Sequence, residues 1–193
     1  MGRKGEAKRQ QILDTAKQML LSGGVDEFVL RDVAERVGIT HGNLQYYFRT
    51  KQDLLVAIFD QEIAKYTGSL QEAAAATTTR RGRLAAIIDS GLKELRSPDT
   101  SLWRMVISMA DHSPDMAKLL KKENDLYQAV VAKELKLIAP RLSPQRRRQI
   151  SRIIQAVLDG LAIQFVHEDP NSAEMRGLES EIKAVIVALV EAE

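Results

Sequence analysis

Apolar residues recur along the chain at intervals of three and four positions, the spacing that places side chains on one face of an α-helix. The first such stripe contains Ile12, Leu13, Ala16, Met19 and Leu20. No segment alternates polar and apolar residues for long enough to predict a β-strand. The pattern therefore predicts an all-α fold with about nine helices.

Glycine and capping residues mark where the first helices begin and end. The first helix is predicted from about Glu6, and Gly23-Gly24 ends it. Two short helices follow, Leu30–Val37 and His41–Tyr47. Thr50 is predicted to cap the N-terminus of a long helix, because threonine hydroxyls accept hydrogen bonds from free helical N–H groups.

The second half of the chain is predicted to form four longer helices and one shorter helix. An alanine- and threonine-rich segment, residues 73–79, separates this part from the long helix. Ser113-Pro114 and Ser143-Pro144 each combine a capping serine with a proline in the first helical turn. The shorter helix, Leu102–Ala110, is apolar nearly all round, which predicts burial on several sides.

Composition narrows the class of protein. The chain has 193 residues, of which 45% are hydrophobic and 28% charged, as in a globular protein with a substantial core. Residues 1–10 lack the apolar region of a signal peptide, and no apolar run reaches the ~18 residues that a membrane helix needs, so we expect a cytoplasmic protein with no membrane partner. The absence of cysteine excludes disulfides, zinc fingers and thiol catalysis. With a net charge of only +2, any nucleic-acid surface must be a local patch.

The segment from Leu30 to Leu55 contains two short helices joined by a turn at Gly38. Leu44 and Phe48 lie four positions apart and are predicted to anchor the second helix to the core. Its remaining side chains are imidazole, amide and phenol groups, which suit base edges and phosphates. This pattern fits a helix-turn-helix and an ordinary helical hairpin with a polar face about equally well.

Motifs within this segment resemble the DNA-binding domain of the TetR family of bacterial transcriptional regulators. The matching motifs are Gly38-Ile39-Thr40, Gly42-x-Leu44, Tyr47-Phe48-x-x-Lys51-x-x-Leu54, and upstream Ile12-Leu13-x-x-Ala16 and Gly24-x-x-x-Phe28. The resemblance covers about residues 8–60 and is only architectural beyond them. It implies a three-helix helix-turn-helix domain at residues 1–50, joined by the long helix to an effector-binding and dimerisation domain at residues 51–193.

The resemblance also implies which side chains contact DNA. Thr40 would cap the recognition helix, and Gly42 would allow close approach to the duplex. At Gln45 the sequence departs from the family, which more often has tyrosine there. Base edges would be read by His41, Asn43 and Gln45, and phosphates would be met by Tyr46, Tyr47 and Lys51. Arg31 matches a position that often contacts DNA in the family. The basic N-terminal arm, with Arg3, Lys4, Lys8 and Arg9, either follows DNA or is a solvated tail.

The helices beyond residue 79 offer candidates for two further sites, an effector pocket in the middle helices and a dimer contact in the last two. The resemblance implies that the last two helices form a homodimer interface; packing in the chain's own core is the alternative. The interface candidates are Ile150, Ile154, Val157, Leu161, Ile182, Val185, Ile186 and Leu189. The candidates for a small-molecule effector pocket are Trp103, Met105, Met109, His112, Glu123, Tyr127 and Gln164, with His167 nearby; each has core packing or a structural role as its alternative.

These features favour a ligand-responsive transcriptional regulator. Because repression is the usual mode of the family that the chain resembles, we expect a repressor that binds a near-palindromic double-stranded DNA operator as a homodimer and is released by a small molecule. The alternatives are a helical protein–protein adaptor and an activator of the same family without a ligand. The histidines lie far apart, and metal-binding and nucleotide-binding motifs are missing, so we expect no enzyme activity, no metal and no cofactor.

Overall fold

A computed structural model of the chain describes residues 2–164, 166, 169 and 172–191. Within these residues it contains nine α-helices and no strand, so the predicted all-α fold is confirmed. The helices are α1 Arg3–Gly23, α2 Leu30–Val37, α3 His41–Tyr47, α4 Lys51–Ala75, α5 Arg80–Leu95, α6 Thr100–Ala110, α7 Pro114–Ile138, α8 Pro144–Gln164 and α9 Ala173–Glu191. In the part of the chain that the structure describes, none of these helices is long and apolar enough to span a membrane.

The predicted capping residues are confirmed by hydrogen bonds. The Thr40 hydroxyl accepts a hydrogen bond from the backbone N–H of Asn43, at 3.2 Å. At the start of α4, the Asp53 N–H donates to the Thr50 hydroxyl while the Thr50 N–H donates to the Asp53 carboxylate, both at 3.0 Å. This reciprocal pair satisfies two N–H groups that a helix start leaves unpaired. The hydroxyls of Ser113 and Ser143 likewise cap α7 and α8.

The basic N-terminal segment forms part of α1, which begins at Arg3, three residues before the predicted start at Glu6. Lys8 donates a hydrogen bond to the side chain of Gln11, at 2.7 Å. The Arg9 guanidinium lies 5.0 Å from the centre of the Phe48 ring. The expected arm is therefore the first turns of a helix, because the alanine, lysine, arginine and glutamine of this segment favour helical backbone.

The prediction that α6 is buried on several sides is confirmed in part. Leu102 and Val106 are buried, whereas the apolar side chains Trp103, Met105 and Met109 are half-buried. Ser108 is exposed. Among the apolar side chains of α6, full burial is therefore limited to Leu102 and Val106, and the others remain partly accessible.

The chain divides into two compact units. The first comprises the chain up to Ile63 together with Ser101–Leu120, and the second comprises Ala64–Thr100 and the chain from Lys121 onward. The division falls within α4 rather than at residue 50, because the first turns of that helix bury Leu54, Leu55, Ile58 and Phe59 in the first core. A functional boundary at residue 50 stays a prediction.

The first core joins α1, α2 and α3 to the start of α4, to α6 and to the start of α7. It contains fully buried large side chains from each part of the helix-turn-helix region, including Ile12, Leu20, Phe28 and Leu44. Burial of such side chains contributes about 1.5–3 kcal/mol each relative to exposure. The first core therefore holds α3 in a fixed position.

The second core is formed by the later part of α4 with α5, α7, α8 and α9. Helices α5 and α8 approach closely at Gly91, where a Cβ atom would overlap the side chain of Leu158. Ion pairs at the edge of this unit join Arg83 to Glu134, at 2.8 Å, and Lys183 to Asp89, at 2.6 Å.

Replacing Gly91 by alanine is expected to destabilise the protein. The added methyl group forces Leu158 or helix α5 to move, and such overpacking costs about 1–3 kcal/mol. Gly177→Ala in α9 is the matched control, since a Cβ atom there meets no atom within 4 Å. The control is expected to be neutral or to stabilise by up to about 1 kcal/mol. Urea unfolding of both variants measures the difference, and equal stabilities would contradict the close packing at Gly91.

Candidate nucleic-acid interface

Helices α2 and α3 are joined by a tight turn that depends on Gly38. Its backbone is left-handed, with φ 72° and ψ 37°, a conformation that side chains with a Cβ atom rarely adopt. The N–H groups of Gly38 and Ile39 donate to the carbonyls of Glu35 and Ala34, both at 3.0 Å. This turn ends α2 and sets the direction in which α3 leaves it.

Helix α3 buries one side chain and exposes most of the others. Leu44 is fully buried, and Phe48, directly after the helix, is 4% exposed. The side chains of His41, Asn43 and Gln45 are exposed. The predicted polar face is therefore accessible, although its contacts with bases stay a prediction.

Two tyrosines occupy the C-terminal end of α3. Tyr46 is 75% exposed, and Tyr47 is half-buried. Their rings meet edge to face, with centroids 5.3 Å apart. A phenol that is this exposed has its hydroxyl free to donate to a phosphate oxygen.

The charged groups around α3 are unevenly distributed. The segment from Arg36 to Lys51 has three cations and no acidic residue, whereas Asp32 and Glu35 are exposed on α2. Arg31 and His41 line the same shallow surface depression, together with Glu35. The structure thus brings Arg31, which the sequence placed on a separate helix, beside the start of α3.

Lys51 has a structural contact that the sequence does not reveal. Its ammonium group donates a hydrogen bond to the backbone carbonyl of Val25, at 2.7 Å, and lies 5.7 Å from the centre of the Phe28 ring. The side chain is half-buried. Lys51 therefore ties the loop between α1 and α2 to the start of α4, and its predicted phosphate contact would use the ammonium's other N–H groups.

Two further polar contacts hold α4 and were not predicted from the sequence. The Gln52 side-chain amide donates to the hydroxyl of Ser113, at 2.9 Å, which links α4 to the N-terminus of α7. Lys17 of α1 and Glu62 of α4 form an ion pair at 2.8 Å, and both side chains are largely buried. Pairs between residues so far apart in the chain have no sequence signal.

The predicted effector residues are divided between the two compact units. Trp103, Met105, Met109 and His112 belong to the first, and Glu123, Tyr127 and Gln164 to the second. Met105 and Met109 pack against the first core, and His112 and Gln164 are exposed. His167 lies outside the described residues.

Tyr127 and Glu123 belong to a buried polar cluster in the second unit. The Tyr127 side chain is 2% exposed, and its hydroxyl has no hydrogen-bond partner within the described chain. Glu123, which is 7% exposed, accepts a hydrogen bond from Gln155 at 3.4 Å. Gln155 in turn accepts one from Gln128, at 3.0 Å.

Tyr66 and Asp159 extend this cluster, and sequence reasoning missed both. The Tyr66 ring lies parallel to that of Tyr127, with an interplanar angle of 4° and centroids 6.1 Å apart. Burial raises the pKa of the Asp159 carboxyl to about 7. Burial, followed by the charges of Asp159 and Glu123, raises the pKa of Tyr127 well above its ordinary value. Tyr66 continues the stripe of α4 beyond Ile63, which is the signal that would have found it.

Five of the predicted dimer residues lie in the chain's own second core: Ile150, Ile154, Leu161, Ile182 and Ile186. For these five, packing in the monomer is the role that the structure shows. Val185 is 62% exposed, and Val157 and Leu189 are half-buried. Two exposed residues that were not predicted, Ile153 and Ile163, lie on α8 and are 41% and 54% exposed.

Two family descriptions match the chain. The family of bacterial regulatory proteins called tetR matches residues 12–58, which include the whole of the α2–α3 segment. The C-terminal domain of the BetI-type transcriptional repressor matches residues 80–186, more than half of the chain. The two matches together cover both compact units in part.

Curated relatives show the same relationship at low identity. The HTH-type transcriptional regulator BetI of Burkholderia thailandensis is 26% identical over 160 residues, which are 81% of this chain and 80% of the relative. The regulator of the same name from Yersinia pestis is 24% identical over 158 residues, 80% of this chain and 78% of the relative.

Solved structures share the fold. A transcriptional regulator from Rhodococcus sp. Rha1 has a TM-score of 0.78 at 20% identity, covering 95% of this chain and 96% of its own. A regulator from Saccharomonospora viridis, solved in complex with choline, has a TM-score of 0.76 at 19% identity, covering 97% and 96%. With its helix-turn-helix geometry and both family matches, the chain belongs to the TetR family of bacterial transcriptional regulators, with a C-terminal domain of the BetI repressor type.

Proposed function

We propose that this regulator is a repressor that binds a near-palindromic operator as a homodimer and leaves it when a small organic cation binds. The observation that carries the proposal is the exposed polar face of α3, held in place by the burial of Leu44 and Phe48. Such a helix fits the major groove, where base pairs present distinct patterns of donors and acceptors.

The residues of α3 would divide the work between bases and backbone. Asn43 and Gln45 have side-chain amides that pair with adenine in bidentate fashion, and the His41 imidazole also faces outward. Thr40 and Gly42 lie at the helix start, where the backbone would approach the duplex. Phosphate contacts would come from Arg31, Tyr46, Tyr47 and Lys51. Each contact would add roughly −0.9 to the slope of the logarithm of the binding constant against the logarithm of the salt concentration.

A dimer is needed because one α3 of seven residues reads too few base pairs to select an operator. Two copies roughly 34–36 Å apart read two half-sites one helical turn apart. We propose an interface formed by the accessible apolar residues of α8 and α9, namely Ile153, Val157, Ile163, Val185 and Leu189. The core residues beneath them would support this face.

The effector would bind in the second unit beside Tyr66 and Tyr127. Aromatic faces attract organic cations, and the Asp159 carboxylate supplies a compensating charge. The choline bound by the Saccharomonospora viridis regulator supports this class of ligand for the fold. Glu94, Glu123 and Asp159 each raise the pKa of Tyr66 through their charges, after burial and Tyr127, and this negative field disfavours an anion.

The effect of the bound effector on DNA binding would be transmitted along continuous helices. Helices α4 and α7 each start in the first unit and continue into the second. A ligand that favours one tilt of α4 would change the spacing of the two recognition helices. Such coupling is typically worth about 1–3 kcal/mol.

Substitutions on α3 are expected to separate base reading from phosphate binding. Gln45→Ala should change the preferred bases in a selection from genomic fragments, with about 1–3 kcal/mol lost at the affected position. Arg31→Ala should weaken all duplexes alike and make the salt dependence shallower by about one contact. Lys136→Ala, an equal charge change on the exposed surface of α7, is the control. Unchanged binding by the Gln45 and Arg31 variants would contradict this placement of the interface and favour an adaptor.

The dimer interface is tested by placing a charge on it. Val185→Asp should convert the dimer to a monomer, because a buried unpaired carboxylate opposes association. Leu137→Asp is the matched control, since Leu137 is 51% exposed on α7, outside the proposed face. Light scattering during size-exclusion chromatography gives the mass directly. A wild-type mass near 21.6 kDa would overturn the dimer.

Choline and its uncharged isostere, in which carbon replaces the quaternary nitrogen, test the effector class. We expect choline to bind at least about tenfold more tightly than the isostere, because the attraction between a cation and aromatic rings contributes roughly 1.4 kcal/mol. It should also release DNA that the repressor has selected from its genomic fragments. Equal affinity for the two compounds, measured by calorimetry, would contradict a cation site.

A further inference from the structure

Asp159 is held in a position that costs folding free energy and gains nothing from the rest of the described chain. The side chain is half-buried, and no hydrogen bond or ion pair within the described residues engages its carboxyl group. Burial without a partner is the cause of its raised pKa, about 7. Titratable groups whose pKa values are shifted in this way occur at functional sites more often than elsewhere.

Burial alone accounts for the raised pKa of Asp159, and no neighbouring cation of the described chain offsets it. Its charge raises the pKa values of Tyr66 on α4 and Tyr127 on α7, and Glu123 on α7 does the same. Glu94 on α5 adds a further negative charge near Tyr66. None of the basic groups in the described chain is among the causes of these shifts. On α9, Glu179 and Lys183 are held in ion pairs with residues of the second unit outside this cluster, Arg96 and Asp89.

The hydroxyl of Tyr127 is a second unsatisfied group in the same cluster. It is buried without a hydrogen-bond partner in the described chain, which costs the desolvation of a hydroxyl. A ligand with a positive charge and a polar group would satisfy both Asp159 and Tyr127. A proton on Asp159 would remove the charge without satisfying the tyrosine.

We propose that Asp159 accepts either a proton or the positive charge of the effector, so that effector binding displaces one proton and the repressor senses acidity together with its ligand. The inference rests on the proposed function and adds the regulation of its effector site. In the exchange, the O–H bond of the carboxylic acid breaks, the proton passes to water or buffer, and the carboxylate pairs with the cation. The step is a proton transfer only, and no group is oxidised or reduced.

Proton exchange makes the affinity for the effector depend on pH in a defined direction. Because ligand binds the ionised carboxyl, the affinity of the wild-type protein for choline should fall about tenfold from about pH 8 to pH 6. Calorimetry in buffers of different ionisation enthalpy should show close to one proton released at about pH 6 and few at about pH 8. Tyr66 and Tyr127 stay protonated throughout this range.

Asp159→Asn isolates the carboxyl group. This variant should bind choline at least about tenfold more weakly at about pH 8 and lose the pH dependence. Asp125→Asn, on the exposed surface of α7, removes the same charge and should keep the wild-type behaviour. A wild-type affinity that is equal at the two pH values would overturn the exchange, as would a pH dependence retained by Asp159→Asn.

Stability gives a readout that does not need a ligand and shows that the variant folds. The folded-state pKa lies above the ordinary value of 3.8, so the wild type loses stability as pH rises from 3.8 to about 7, and the loss is complete above that range. Asp159→Asn lacks this loss and should melt several degrees higher than the wild type at about pH 8, with a smaller difference at about pH 5. A lower melting temperature at about pH 8 would contradict an uncompensated carboxylate.

The outcomes separate this inference from the proposed function. Choline that binds with constant affinity across pH overturns only the proton exchange. Failure of choline to bind at either pH overturns the exchange and the effector class together. Operator selection and the dimer are measured without effector, so neither result alters them.

Discussion

Burial of Leu44 and Phe48 determines what the recognition helix presents to its surroundings. Because both side chains pack in the first core, the imidazole and amides of α3 remain outside it. The left-handed turn at Gly38 and the hydroxyl cap at Thr40 define where the helix begins. The proposed surface for reading DNA thus arises from ordinary core packing, and its specificity would come from the polar side chains that remain outside the core.

The packed core that supports α3 extends beyond the helix-turn-helix. Lys51 binds the Val25 carbonyl, and Gln52 binds Ser113, so the start of α4 is tied to the loop after α1 and to the start of α7. The first compact unit therefore includes helices from the middle of the chain. A change in α4 or α7 would reach α3 through packed residues rather than through a flexible linker.

The sequence predicts the local features well and the long-range ones poorly. Apolar periodicity and the glycine turns predict α2 and α3 close to their observed bounds, because these signals act within a few positions of the chain. Apolar periodicity did not distinguish a monomer core from a dimer face, so Ile150 and Ile182 were placed on the interface although both pack internally. The cluster of Tyr66, Tyr127 and Asp159 combines three helices, and only the fold brings them together.

The central claim, that α3 reads duplex DNA as one of a pair, is tested most directly by selecting genomic fragments on the purified chain at low salt and sequencing those retained. The account predicts recovery of a recurrent near-palindrome whose half-sites are one helical turn apart, with retention that decreases steeply as salt is added. Recovery of no duplex, or of fragments without a common sequence, would contradict it.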